Sequence, residues 1–186
     1  MHLRQWLRCL PLWVAGGTLL QAVSPTLGST EIVPLEPQVV AYFQRTGSAR
    51  GIPDAIRQLR SWAEAEGVKV AGPASALFYT DPEAAPDAVL FWEVRLPLAL
   101  DSPGASPPLA EGVGVIRSER IRAAACSEQH SVPGGRGAEV GALREWIRDN
   151  GYAVNGPRIE IYLDGLGGDA SQPVRIRLCL PVIASR

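Results

Sequence analysis

Ile56, Leu59, Trp62 and Ala63 fall at helical spacing within residues 52–66, and Val140, Leu143, Trp146 and Ile147 repeat that apolar stripe further along the chain. Pro53 suits the first turn of the first helix, and Gly67 and Gly151 suit the exits of the two. The tryptophans lie on the apolar faces and read as core. Residues 39–45, rich in β-branched and aromatic side chains, predict a strand before the first helix. After each helix a Gly-Pro turn, Gly72-Pro73 or Gly156-Pro157, opens a further strand. In the second of these, Ile159, Ile161 and Leu163 alternate with Arg158, Glu160, Tyr162 and Asp164, so that one face is apolar and the other polar. Third strands are predicted over 90–98 and 174–183, where Glu93, Arg95, Arg175 and Arg177 read as a solvated or cross-strand-paired sheet face.

The two halves are copies. Shifting the chain by 84 residues aligns residues 39–97 with 123–181 without a gap and gives 11 identities in 59 pairs. The identities fall on turn and core positions: Gly51/Gly135, Leu59/Leu143, Arg60/Arg144, Trp62/Trp146, Gly67/Gly151, Gly72-Pro73/Gly156-Pro157 and Leu96-Pro97/Leu180-Pro181. Chance identity would not follow structure in this way. The fold class is α+β, with duplicated strand-helix-strand-strand units, repeats 39–98 and 115–183 and a linker over 99–114. Glu160 and Tyr162 share a strand face, and their counterparts in the first copy are Ala76 and Phe78. The aromatic character is kept and the acid is not, as expected if a single carboxylate has a task.

Composition excludes several functions. A formal charge of -1, with Lys69 the only lysine, supplies no basic footprint for nucleic acid. Two histidines and three cysteines are too few for a tetrahedral metal site of those residue types, and no cofactor is implied. Arg4 and Arg8, without an acid, precede an apolar run over residues 9–23, too short for the ~20 residues of a spanning helix. This predicts a signal peptide over 1–28, with an uncleaved membrane anchor as the alternative. A lead-in segment follows over 29–38. Cleavage would leave 16 basic against 19 acidic residues, a charge of 16 − 19 = −3. In an exported protein Cys126 and Cys179 have the opportunity to pair; the sequence leaves a disulfide and two lone buried thiols equally open.

Tyr79-Thr80-Asp81-Pro82 after the first Gly-Pro turn, residues 156–163 after the second, and the doubled strand-helix-strand-strand order resemble the GyrI-like small-molecule-binding domain. This is also the effector-binding domain of AraC-type and MerR-type regulators, related in structure to SOUL haem-binding proteins. The resemblance covers nearly all of the chain from Val39 to Val182. It implies an antiparallel sheet with two helices and a groove at a pseudo-twofold axis, where drug-like molecules, often aromatic cations, bind. The family's central acid carries over to Glu160, and its neighbour two residues on to Tyr162. The turn at residues 130–135 departs from the family pattern.

The resulting expectation is an exported, non-catalytic protein that captures hydrophobic or aromatic compounds, cations among them. The ligand-binding residues expected are Glu160, Tyr162, Phe78, Tyr42 and Tyr79. A carboxylate in an aromatic-lined groove gives up solvation worth several kcal/mol, which a bound cation restores in part. Each ring would add about 0.5 to 2 kcal/mol by cation–π contact. The competing reading pairs Glu160 permanently with Arg158, Arg175 or Arg177. A hydrolase with Glu160 as general base and Tyr162 or Tyr79 orienting the substrate is the alternative, although no nucleophile motif is present. Haem binding through His130 is a third reading, against which His130 reads more simply as a turn or capping residue. The partner is a small organic molecule, with no nucleic acid and no stable membrane insertion.

Overall fold

The computed structural model describes residues 29–85, 89–99, 112–131, 137–166 and 173–185. The expected signal peptide and most of the expected linker lie outside them. In chain order the elements are β1 (Glu31–Leu35), β2 (Val39–Thr46), α1 (Ile52–Ala65), β3 (Lys69–Val70), β4 (Ser75–Phe78), β5 (Phe91–Ala99), β6 (Gly114–Arg117), β7 (Ile121–Ser131), α2 (Ala138–Asp149), β8 (Tyr152–Val154), β9 (Arg158–Tyr162) and β10 (Val174–Ala184). Each copy therefore carries more strands than the strand-helix-strand-strand order expects: a short strand after the helix, and a lead-in strand before the unit.

The helices form as the apolar spacing predicts. Ile52, Ile56, Leu59 and Ala63 bury one face of α1, and Val140, Leu143 and Ile147 bury the corresponding face of α2. Gly67 and Gly151 end them at φ +64 and +77, a left-handed conformation that costs glycine least.

All the main strands pair antiparallel, in the order β1-β7-β10-β9-β4-β5-β2-β6, with β3 on β5 and β8 on β10. Under the repeat, β7, β10 and β9 correspond to β2, β5 and β4, so the order reads the same from either end. The lead-in strands exchange partners. β1 belongs to the first copy and pairs with β7 of the second; β6 leads into the second and pairs with β2 of the first.

This exchange forces the sheet to curl. β1 and β2 stand six places apart in the order, about 29 Å in a flat sheet at ~4.8 Å per strand, yet residues 36–38 alone join them. A link of that length spans at most about 14 Å. The sheet edges must therefore approach each other, and the link 36–38 runs beside the equivalent link 118–120. Gln38 N–H donates to Ser118 Oγ at 2.9 Å, Ser118 N–H donates to the Gln38 carbonyl at 2.7 Å, and Arg120 pairs with Glu36 at 2.9 Å.

Both helices cover one face of the sheet. The larger core joins α1 to Phe43, Trp92, Val94, Leu96, Ala76, Phe78 and Tyr162; the second joins α2 to Ala125, Leu178 and Leu180. A smaller cluster of Leu77, Ala124, Cys126, Ile159 and Cys179 fills the opposite face. Cys126 and Cys179 are cross-strand partners and form a disulfide within it.

Candidate functional site

The two copies meet at β4 and β9, paired antiparallel with Ala76 opposite Glu160. These two residues are also equivalents under the 84-residue repeat. A twofold axis passes midway between any two equivalent points, so a pair of equivalents in direct contact must lie at the axis. The same holds for Glu36 and Arg120, likewise 84 apart and ion-paired at 2.9 Å. A residue at the axis meets its own duplicate, and a charge kept in both copies would meet a like charge. Divergence to Ala76/Glu160 and to Glu36/Arg120 removes that conflict, and the small Ala76 side chain leaves room for the longer acid across from it.

Glu160 is 3% exposed and lies under the helices with its carboxylate fully engaged. Arg158, 4% exposed, directs Nε and Nη2 at Oε1, the former at 3.1 Å, and Tyr162 donates its hydroxyl to Oε2 at 2.9 Å. The Arg158 guanidinium also lies 4.8 Å from the centre of the Phe78 ring. Tyr162 is completely buried, and burial, reinforced by the Glu160 charge, raises its phenol well above the ordinary value. The side chains of Arg158, Glu160, Tyr162 and Phe78 thus form one group, with its two charges paired, on the sheet face that the helices cover. Past its end runs a shallow groove of about 570 Å³ lined by Arg60, Gly72, Tyr162, Leu163, Gly165 and Leu166.

Three of the expected site residues, Glu160, Tyr162 and Phe78, are brought together, and two are not. Tyr42 is the register partner of Arg95, which pairs with Ser75, which pairs with Ile161. Directly paired residues share a face, so Tyr42 lies on the face opposite Glu160. Tyr79 follows Phe78 and points away from it by strand alternation. It is hydrogen-bonded to Glu93 at 3.4 Å and stacked on Phe91 at 5.2 Å between ring centres. Burial, then the Glu93 charge, raises its phenol.

The expected arrangement of Glu160 is also corrected. Its carboxylate does not stand unpaired toward a guest, because Arg158 is two residues away in the same strand and on the same face. Arg175 and Arg177 are engaged elsewhere, with Asp164 at 3.2 Å and Glu128 at 2.7 Å. The face that reads as polar in β9 is the one the helices cover.

The other sheet charges are paired too, Arg177 with Glu128 across two strands as expected, but Glu93 with Arg95 along a single strand and buried. Glu93 binds Arg95 and accepts from Gln44 at 2.9 Å, and the equivalents of Gln44 and Glu93, Glu128 and Arg177, form an ion pair in the same register with the charge on the other strand. The helix arginines differ between copies. Arg144 pairs with Asp81 at 2.9 Å, whereas its equivalent Arg60 faces the groove where Asp81 is replaced by Gly165. His130 is exposed in β7, paired in register with Arg175. Among the described residues no group of three His, Cys, Asp or Glu is placed to hold a metal, and no helix is long and apolar enough to cross a membrane. Of the three arginines that the sequence offers as partners for Glu160, the structure selects Arg158, whose spacing of two residues places it on the same strand face.

The EcmrR C-terminal domain has a similar fold, with a TM-score of 0.62 at 13% identity over 84% of this chain and 98% of that one. In the EcmrR–DNA complex the match has a TM-score of 0.66 at 13% identity and covers 85% of this chain, which spans 58% of EcmrR. A hydrolase from Listeria innocua matches with a TM-score of 0.58 at 13% identity over 83% of this chain and 91% of that one. At these identities the likeness is one of fold. No curated protein is significantly similar in sequence. The family model for the GyrI-like small molecule binding domain matches residues 29–183, and the chain therefore belongs to the GyrI-like family.

Proposed function

We propose that this is an exported small-molecule-binding protein that captures hydrophobic or aromatic compounds, cations among them, on the helix side of β4 and β9. The observation that carries this reading is the Arg158–Glu160–Tyr162 group at the pseudo-twofold axis of a small-molecule-binding fold. A buried ion pair is weak evidence of stabilisation, since its desolvation offsets much of its attraction. Its value here is exchangeability. A flat cation entering beside Phe78 takes over Arg158 as the partner of Glu160, and the displaced guanidinium regains water, so the number of buried charges is unchanged. Phe78 offers the arriving cation the cation–π contact it now gives Arg158.

Export is supported by the charged and apolar N-terminal run and by the Cys126–Cys179 bridge, which an oxidising compartment sustains. Hydrolysis is disfavoured as the primary activity. A general base must reach a water, and both oxygens of Glu160 are held, one by Arg158 and one by Tyr162.

Titration with ethidium, followed by fluorescence, tests the exchange. Arg158→Met should tighten binding, and the double variant Arg158→Met/Glu160→Gln, which buries no net charge, should bind at least tenfold more weakly than the wild type. Equal affinities in all three proteins would remove the reading.

A further inference from the structure

On the face of the sheet turned away from both helices, a cleft of about 300 Å³ lies on the same pseudo-twofold axis. It is bounded at one end by the crossed links that carry Glu36 and Ser118, and at the other by the backs of β4 and β9. The floor consists of Val40, Leu77, Ile159 and Ile161, with Leu35 and Ile121 as apolar walls. This size is at the lower end of small-molecule pockets, and an apolar lining with a few polar groups is their usual make-up.

The ionic groups around the cleft already have partners. Arg95 is held by Glu93, Arg177 by Glu128 at 2.7 Å, and Glu36 by Arg120 at 2.9 Å. Glu119 stands at the exposed rim, where water solvates it. A charged guest would shed its hydration against walls with no open counter-charge, while an uncharged guest sheds none of that kind. The Ser75 side chain supplies a hydroxyl near the floor.

We infer that this cleft is a second binding site, distinct from the Glu160 group, for an uncharged and mainly hydrophobic small molecule carrying one hydrogen-bonding group. The sheet separates the two sites: Ile159 and Ile161 face the cleft while Arg158, Glu160 and Tyr162 face the helices. Occupancy of one therefore needs no rearrangement of the charges at the other. The inference stands whether or not the helix-side site binds cations.

The uncharged dye N-phenylnaphthylamine serves as probe, its fluorescence rising on transfer from water to an apolar site. The wild-type protein should bind one equivalent saturably. Ile161→Trp and Ser75→Phe, both at partly exposed lining positions, should each weaken the dye at least tenfold by filling the cleft. Arg158→Met/Glu160→Gln should change its affinity by no more than twofold. Absence of saturable binding to the wild type, meaning a cleft that holds water only, would overturn the inference. So would unchanged binding in both filled variants, or loss of the dye in the Arg158/Glu160 double variant, which would place it on the helix side.

Discussion

Ala76 and Glu160 are at once duplicates of each other and direct partners across the central strand pair. That coincidence places the pseudo-twofold axis at a position where an acid in both copies would face itself. A single carboxylate there, opposite an alanine, is the arrangement that keeps a charge at the centre of the fold without repulsion.

Restoring the symmetry should therefore be costly in a pH-dependent way. In Ala76→Glu the introduced carboxyl is buried and faces Glu160, and both effects favour its protonated form. Its folded-state pKa is raised above the unfolded value, so stability is present at low pH and is lost as pH rises through the folded pKa. Denaturant unfolding should show the variant closer to wild-type stability at pH 5 than at pH 8. The opposite trend would mean that the two side chains do not meet.

Tyr162 makes a second pH-dependent contribution, at the alkaline end. Its phenol is raised in the folded protein, so the stability it contributes is complete below the unfolded value of about 10 and falls as pH climbs toward the folded value. Tyr162→Phe should lower stability at neutral pH by about 1 to 3 kcal/mol through loss of the hydrogen bond to Glu160. It should also flatten the decline above pH 10, measured by urea unfolding across that range.

The disulfide closes a loop between residues 53 apart. On the chain-entropy account this constrains the unfolded state by about 4 kcal/mol. Cys126→Ala/Cys179→Ala should lower unfolding free energy by about 2 to 4 kcal/mol, and reductant should destabilise the wild type but leave the variant unchanged. Equal stability of wild type and variant would show that the thiols are unlinked in solution.

The Asp81–Arg144 pair joins the segment after β4 to α2, with about a third of each side chain exposed (35% and 36%). Solvent screening keeps such a pair to about 1 kcal/mol or less. Asp81→Asn should accordingly change the melting temperature by only a few degrees, an effect reduced by salt; a loss several times larger would show that the pair supports more than itself.

The helices, the repeat and the two central strands were legible in the sequence because each is written in local periodicity or in identity at a fixed offset. Ile56, Leu59 and Ala63 need no distant partner to announce a helix. The exchange of β1 and β6 was not legible: Glu31 opposite Cys126 and Gly114 opposite Tyr42 are long-range pairings that local pattern does not encode. Tyr42 and Tyr79 were grouped with Glu160 by residue type, although Phe78 and Tyr79, as neighbours in an extended segment, cannot share a face. Arg158 was visible by the same alternation. What the sequence could not decide was whether its guanidinium turned toward Glu160, a choice made where the helices seal that face from water and the two buried charges meet.

The central claim is that a ligand replaces Arg158 as the partner of Glu160, and a crystal structure of the protein with bound ethidium tests it most directly. The account predicts ligand density beside Phe78, a ligand cation against the Glu160 carboxylate and the Arg158 side chain moved away from it. An intact Arg158–Glu160 pair with the ligand bound elsewhere would contradict it.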